Sequence, residues 1–220
     1  ALSRGEAYLF SDSAPDTTRI IKDLGFSEAD AMILSNSKDF RVGGAPFLIE
    51  RLKPKKGYYS GINFQGFNLI QSYLSNFETV SQDKLIVVGE SVAVLFVVPY
   101  DDSRGFSLSE EQNSVLTKFS YKDFSISFGS DCYDECEDRV SNSDLSADVF
   151  VMPFEGQCGD KAVSTYFLKK INSSINLGRN ICDNINFKIS TLGLKPLDAK
   201  GVVITSDGVS YSYYRVVNSG

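Results

Sequence analysis

The strongest constraint on the fold is a pair of apolar runs separated by only two residues. Lys84–Val88 and Ser91–Val98 flank the dipeptide Gly89-Glu90, which is short enough for the tight turn of an antiparallel hairpin. The second run is apolar on both faces, so it predicts a central strand that is buried on both sides. The chain must therefore fold around at least one sheet.

Other short runs predict further strands. Phe124–Phe128 alternates strictly between large apolar residues and serines, which indicates a half-exposed strand. Near the end of the chain, Val202–Thr205 and Val209–Val217 predict a second hairpin, with Tyr211 and Tyr213 on its core face. Additional strands are predicted at Ala7–Phe10, Phe47–Leu52, Tyr58–Phe67, Val149–Phe154 and Ile185–Ile189.

Helices are expected to be few and short. Pro15 and Gly25 suit the two ends of a helix whose apolar face holds Ile20, Ile21 and Leu24. Shorter helical patterns occur at Met32–Leu34, Asn68–Phe77 and Val115–Leu116, the first and last behind a capping-type sequence. Two further segments are Ala162–Leu177, which fits either a helix or a strand, and residues 130–147, a predicted polar and acidic loop.

Because strands follow strands through tight turns, the sequence predicts a mainly β fold with a few short helices. We expect one β-rich domain over residues 1–220, a β-barrel or sandwich of mostly antiparallel strands decorated by loops. The same tight turns disfavour a parallel α/β sheet. The chain begins without a methionine and without the pattern of a signal peptide, so we expect either that a leader was removed or that the domain was excised from a longer chain, and we favour excision.

The chain of 220 residues contains no histidine. Ser-His-Asp sites, Cys-His sites and histidine-bound zinc all need an imidazole, so these chemistries are excluded. Histidine is also the commonest general base near neutral pH, so its absence lowers the expectation of catalysis. The sequence therefore predicts a protein that is not an enzyme and that has no cofactor.

The charge of the chain bears on its partners. A net charge of −6 disfavours nucleic acid and anionic membrane surfaces, because both attract basic proteins. No apolar run reaches the roughly 18 residues that a transmembrane helix needs. We therefore expect neither nucleic-acid binding nor membrane insertion.

The cysteines are Cys132, Cys136, Cys158 and Cys182. They allow three disulfide pairings, and the sequence does not choose among them. Their spacing fits a zinc site poorly, so disulfides or buried thiols are expected instead. The acidic residues around Cys132 and Cys136 would raise the pKa of their thiols and blunt their reactivity, which indicates an exposed loop rather than a redox centre.

One candidate binding loop follows the predicted central strand. Asp101, Asp102, Ser103 and Arg104 bring acidic, hydroxyl and basic groups to the tip of a rigid strand, where they could bind polar groups such as sugar hydroxyls. The alternative is an ordinary surface turn in which aspartate caps backbone amides.

A second candidate site couples cations to adjacent aromatic rings. Lys55 and Lys56 directly precede Gly57, and Tyr58 and Tyr59 follow it. Lysine and tyrosine together suit an anion or a sugar, through charge and ring stacking. The alternative is a solvated turn leading into a strand, with one tyrosine pointing inward.

In size, strand content and abrupt termini, the chain resembles the capsid spike, or projection, domain of small non-enveloped viruses of the astrovirus type. The resemblance implies a homodimer on the virion surface that binds a host receptor or glycan through its loops and is not an enzyme. It transfers no binding residue, because no motif matches position by position. One alternative is a carboxylate-dependent glycoside hydrolase, which needs no histidine. The other is a secreted bacterial adhesin or toxin fragment. Acids available to the hydrolase are Asp101, Asp102, Asp131, Asp134, Glu135 and Glu155.

Overall fold

The computed structural model of the protein describes residues 14–35, 44–60, 71–89, 91–99, 112–153, 159–178, 194–196 and 201–216. These segments contain four α-helices, namely α1 (Ala14–Asp23), α2 (Ala45–Leu52), α3 (Glu135–Val140) and α4 (Thr165–Ile171). Two 3₁₀-helices lie at Gln71–Asn76 and Gly159–Lys161. None of the helices in these segments is long and apolar enough to cross a membrane.

The same segments contain twelve strands. They are β1 (Ala31–Leu34), β2 (Lys56–Ser60), β3 (Phe77–Val80), β4 (Lys84–Val88), β5 (Val92–Val97), β6 (Leu116–Tyr121), β7 (Phe124–Phe128), β8 (Val149–Val151), β9 (Ile175–Gly178), β10 (Leu194–Pro196), β11 (Gly201–Ser206) and β12 (Tyr211–Val216).

The largest sheet has seven strands in the order β10-β9-β8-β7-β6-β5-β4. Strands β4 to β7 form an antiparallel meander, whereas β7 to β10 pair in parallel. Parallel neighbours need long crossover connections, and here the crossovers contain α3, between β7 and β8, and α4, between β8 and β9. Over the described segments the sheet is therefore mixed, and it does not close into a barrel.

Strand β5 lies between two apolar cores. Val94 and Phe96 pack with Tyr58 on the side of a smaller parallel sheet of order β1-β2-β3. Val97 points the other way and packs in the cluster that holds Phe167 of α4. The side chains of Val94, Phe96 and Val97 are almost completely inaccessible. This confirms the prediction of a central strand buried on both sides.

The hairpin of β11 and β12 is antiparallel, as predicted. Its tip lies on the turn between β6 and β7, where the Asp123 amide donates to the carbonyl of Gly208 at 2.7 Å. Tyr211 packs its ring on Phe124, with centroids 5.2 Å apart. Tyr213, also predicted to face the core, is 38% exposed, so the predicted core face is correct for Tyr211 only.

The predicted β-barrel or sandwich is wrong, because the larger sheet is mixed and open over the described segments, and helices cover one of its faces. The error lies in the crossovers. Residues 130–147 were predicted to be a polar loop but contain α3, and Ala162–Leu177 divides into α4 and β9. Both crossover helices are only six or seven residues long, so their helical periodicity is too brief to stand out in the sequence.

Three further local predictions are wrong. Phe47–Leu52, predicted as a strand, belongs to α2, which has Pro46 in its first turn and buries positions seven residues apart. Met32–Leu34, predicted as a helix, forms β1 because it pairs in parallel with β2. Val115–Leu116, also predicted as a helix, leads into β6. Runs of two or three apolar residues carry no period, so strand pairing decides them.

Other predicted elements agree with the structure in position. The helix behind Pro15 is α1, the first hairpin is β4 and β5, and the strand at Val149 is β8. The helix predicted over Asn68–Phe77 is a 3₁₀-helix, and the strand at Tyr58 is β2. Strand β7 is present, but Ser127 on its supposedly exposed face is fully buried. The strands predicted at Ala7–Phe10 and Ile185–Ile189 lie outside the described residues.

The contact of Gly57 with Phe77 gives a test of the smaller sheet. The two residues are direct partners across β2 and β3, and a Cβ at Gly57 would overlap the Phe77 ring. We expect Gly57→Ala to lower the free energy of unfolding by about 1–3 kcal/mol, the usual cost of overpacking. Urea denaturation measures the change. In a Phe77→Ala background the cost should largely disappear, and an equal cost with and without the ring would contradict the pairing.

Candidate functional site

The carboxyl ends of several strands meet at one edge of the seven-stranded sheet. Strands β5, β7, β8 and β9 all run in the same direction, since β6 is antiparallel to both β5 and β7 and the other two pairings are parallel. In open sheets of this kind, ligands bind outside the carboxyl ends of the strands. We call this place the carboxyl edge; its described exits are Val98-Pro99, Gly129–Asp131 and Met152-Pro153.

The smaller sheet reaches the same edge. The Val115 amide, just before β6, donates to the carbonyl of Ser35 at 2.8 Å. The Ser60 hydroxyl, at the end of β2, donates to the carbonyl of Asn113 at 3.2 Å. Ser35 directly follows β1, Ser60 ends β2, and these two strands are parallel. The carboxyl ends of both sheets therefore lie together, and a crevice between them is the natural place for a site.

The exit of β7 is the most unusual part of the carboxyl edge. Ser130 has a left-handed backbone, with φ of 51°, and its buried hydroxyl has no hydrogen-bond partner among the described residues. Asp131 follows it and is completely buried. Both features are uncommon: strained backbone clusters at functional sites, and a catalytic or binding role is one explanation for a buried hydroxyl without a partner.

The chain leaving β8 packs directly against this exit. The Gly129 amide donates to the carbonyl of Val151 at 2.8 Å. A Cβ on Gly129 would lie 2.6 Å from the ring of Pro153 and 2.9 Å from that of Phe150. Only glycine fits so close to these rings, so the sequence itself fixes the approach of the two exits.

A disulfide between Cys132 and Cys136 closes the next turn, with Cα atoms 5.3 Å apart. Both cysteines are completely buried and belong to the cluster of Phe150 and Phe167. The expected exposed loop at this position is therefore wrong: Asp134 and Glu135 are exposed, but both sulfur atoms enter the core and the neighbouring Glu137 is buried as well. Cys158 and Cys182 lie outside the described residues.

Glu137 connects α3 to α4 beside the disulfide. Its side chain is nearly completely buried, and its Oε1 accepts a hydrogen bond from the Ser164 amide at 2.9 Å. Ser164 also caps α4, because its hydroxyl accepts from the Phe167 amide at 3.0 Å. Burial raises the pKa of the Glu137 carboxyl, and the nearby carboxylates of Asp138 and Asp134 raise it further.

A cavity of about 220 Å³ lies between the end of α3 and α4. Its walls include Leu145 and Phe167. The acid at its rim, Asp144, already accepts from Ser146 at 2.7 Å and from Lys118 at 3.0 Å. With its acid engaged in this way, the cavity is a weaker candidate than the carboxyl edge.

The structure does not gather the predicted lysine and tyrosine residues into one surface. Tyr58 is 4% exposed and packs on Phe96, with ring centroids 5.1 Å apart. Tyr59 is half-buried against the cluster beneath α2. Lys56 is exposed, and Lys55 is paired with Asp30 at 2.6 Å. The hydrogen bond to Asp30 raises the pKa of Lys55.

The other predicted loop, with Asp101, Asp102, Ser103 and Arg104, lies outside the described residues. It follows β5 in sequence, and β5 ends at the carboxyl edge. Sequence reasoning counted Asp131 among the available acids but overlooked Ser130. The missed signal was a Gly-Ser-Asp run directly after an alternating strand, which becomes informative only once that strand is known to have a parallel neighbour.

Similar solved structures identify the fold. The chain resembles a mutant of the CmlA β-hydroxylase, with a TM-score of 0.57 and 8% identity over 86% of this chain and 45% of that one. It also resembles the metallo-β-lactamase fold protein YhfI from Bacillus subtilis, with a TM-score of 0.51 and 12% identity over 89% and 83% of the two chains. For a diphosphatase of the PhnP family, the TM-score is 0.50 and the identity 9%, over 93% and 78%.

These likenesses show a metallo-β-lactamase type of α/β fold. The chain spans less than half the length of the CmlA protein that it matches. No protein-family model matches the sequence, and no curated protein matches it.

The fold corrects the functional predictions made from the sequence. The resemblance to a viral capsid spike is wrong, because the similar structures have the fold of metallo-β-lactamases. The predicted non-enzymatic surface projection and its virion location are therefore wrong, and the similar structures do not support the glycoside hydrolase alternative either. The prediction that the chain is not an enzyme is contradicted as well, because several proteins with this fold are named hydrolases or phosphatases. The predicted partners, including a homodimer, stay predictions.

The name of the fold implies a bound metal, but the donors of this chain do not fit histidine-bound zinc. The sequence contains no histidine, and Cys132 and Cys136 are consumed by their disulfide. Within the described segments, no group of three or more cysteine and carboxylate side chains is arranged to hold a metal ion. No step of the chemistry is therefore assigned to zinc.

The buried carboxyl of Glu137 predicts a pH-dependent effect. Its pKa is raised in the folded protein, so its contribution to stability is fully present below the unfolded pKa and is lost as the pH rises through the folded pKa. We expect Glu137→Gln to raise the Tm relative to the unmodified protein at pH 7 and to lose that advantage near pH 4, because glutamine keeps an oxygen acceptor without a charge. Thermal unfolding followed by circular dichroism measures both.

The matched control is Glu137→Ala. It leaves the part-buried Ser164 amide without its acceptor and should destabilise the protein by about 1–3 kcal/mol at either pH. A Glu137→Gln variant that is less stable than the unmodified protein at pH 7 would show that the ionised carboxylate is stabilising and would contradict the burial argument.

Proposed function

We propose that this chain is a hydrolase that acts on a small substrate at the carboxyl edge, with oxygen donors in place of histidine-bound zinc. The observation that carries the proposal is the buried and unpartnered hydroxyl of Ser130, which a left-handed backbone holds beside Asp131. Strain and an unused hydrogen-bonding group in the same residue are what a preorganised site requires.

The fold supports hydrolysis as the reaction class. Besides the diphosphatase, the chain resembles an isothiocyanate hydrolase from gut bacteria of Delia radicum, with a TM-score of 0.50 and 12% identity over 89% of this chain and 80% of that one. Those substrates belong to those proteins. For this chain we propose only the general reaction, in which water attacks a polar bond of a substrate at the carboxyl edge.

Two residues have distinct proposed roles. The Asp131 carboxylate is the general base, since a positioned carboxylate can take a proton from attacking water without a histidine. The Ser130 hydroxyl donates to a polar atom of the substrate, which supplies its missing hydrogen bond. The net charge of −6 favours a substrate that is not a polyanion.

A panel of chromogenic substrates tests the proposal. The purified chain is assayed on a phosphomonoester, a phosphodiester, a carboxylic ester and a β-lactam, each with and without Mg²⁺ or Mn²⁺. On whichever substrate turns over, Asp131→Asn should lower kcat/KM by roughly 10²–10⁴-fold, the usual contribution of a general base. Ser130→Ala should lower it by about tenfold, as expected for one lost hydrogen bond of about 1.4 kcal/mol.

The matched control is Asp123→Asn, which changes an exposed aspartate in the turn between β6 and β7 and should leave kcat/KM unchanged. Circular dichroism confirms that each variant is folded. Two results contradict the proposal: no turnover of any substrate in the panel, or turnover that Asp131→Asn leaves as fast as Asp123→Asn does.

A further inference from the structure

We infer that the Cys132–Cys136 disulfide, and not a bound zinc ion, holds the β7 exit at the carboxyl edge of this metallo-β-lactamase type of fold. The inference concerns how the site is built, and it stands whether or not the chain proves to be a hydrolase. It follows from the donors that the whole sequence can offer and from the backbone that the described residues adopt.

The sequence lacks the usual ligands for a zinc site. Catalytic zinc sites use three protein ligands that include at least one histidine, and structural sites use four cysteine or histidine ligands. The chain has no histidine and four cysteines, two of which are bonded to each other. Cys158 and Cys182 are then the only remaining soft donors, so neither type of zinc site can be completed from the usual ligands.

The backbone between β7 and α3 is strained at two positions. Ser130 has φ of 51° and Asp134 has φ of 50°, so two residues other than glycine are left-handed within one short stretch. Each such conformation costs of order 1 kcal/mol or more and persists only where the surroundings enforce it. Something must therefore fix the chain between the end of β7 and the start of α3.

The disulfide fixes this stretch of chain. Cys132 lies between the two strained residues and Cys136 lies just beyond them, and the bond between the cysteines closes a ring around Asp134. Their sulfur atoms are anchored in the core with Phe150 and Phe167. The Cys132 amide also donates to the carbonyl of Gly129 at 3.1 Å. A covalent ring seated in the core thus takes the place in which a metal could otherwise organise the loop.

Two measurements on the unmodified chain test the inference. After incubation with excess ZnCl₂ and desalting under non-reducing conditions, the zinc content by mass spectrometry should be far below one ion per chain, and EDTA should leave the Tm unchanged. Addition of a reductant should lower the Tm by roughly 4–8 °C, the effect expected for opening a five-residue ring in a chain of this size.

Matched variants show which pair of cysteines causes the response to reductant. Cys158→Ser combined with Cys182→Ser removes the other two cysteines and should keep the response to reductant. Cys132→Ser combined with Cys136→Ser should abolish the response. Because reduction is first applied to the unmodified chain, a variant that fails to fold does not decide the outcome.

The inference is overturned by about one zinc ion per chain with a Tm that falls in EDTA. It is also overturned by a Tm that does not respond to reductant. Neither readout depends on turnover, so a failure of the proposed hydrolysis and a failure of this inference are distinguishable.

Discussion

The parallel pairing of β7, β8 and β9 is the constraint on which the rest of the structure depends. It sends three chain exits to one edge of the sheet, and it requires two crossovers, which carry α3 and α4 onto one face. The disulfide and the Glu137–Ser164 hydrogen bond then join those crossovers to the core and to each other. Antiparallel pairing at the same positions would scatter the exits to opposite edges and leave no common site.

The chemistry proposed for the carboxyl edge follows from the absence of histidine in the sequence. The chain has no histidine, so the catalysis proposed at this edge must use carboxylates and hydroxyls. Ser130 and Asp131 are the pair proposed to act at the edge, because the Ser130 hydroxyl has no hydrogen-bond partner among the described residues and Asp131 is completely buried. Oxygen chemistry at that position agrees with the absence of a zinc donor set and with a loop that is fixed by covalent rather than metal bonds.

Local signals in the sequence identified the antiparallel half of the molecule. The β4–β5 and β11–β12 hairpins were predictable because two short turns connect runs with clear patterns. The parallel half was identified only in part: a strand at Val149 was predicted, but the parallel pairing of β8 and β9 was not, because these strands have three and four residues and their partners are distant in sequence. The candidate site at Ser130 and Asp131 was not predicted for the same reason. The Gly-Ser-Asp run indicates a site only once β7 is known to pair in parallel with β8. Cys132 and Cys136 were recognised as possible partners, but their burial depends on aromatic residues of β8 and α4.

Cross-strand nuclear Overhauser effects on the isotopically labelled chain test the central claim most directly. The account predicts that β7 and β8 are in contact in ascending register, with Ile126 beside Val149, Ser127 beside Phe150 and Phe128 beside Val151. Contacts in descending order, with Ile126 beside Val151 and Phe128 beside Val149, would show an antiparallel pair. That result would remove the common edge and, with it, the site proposed there.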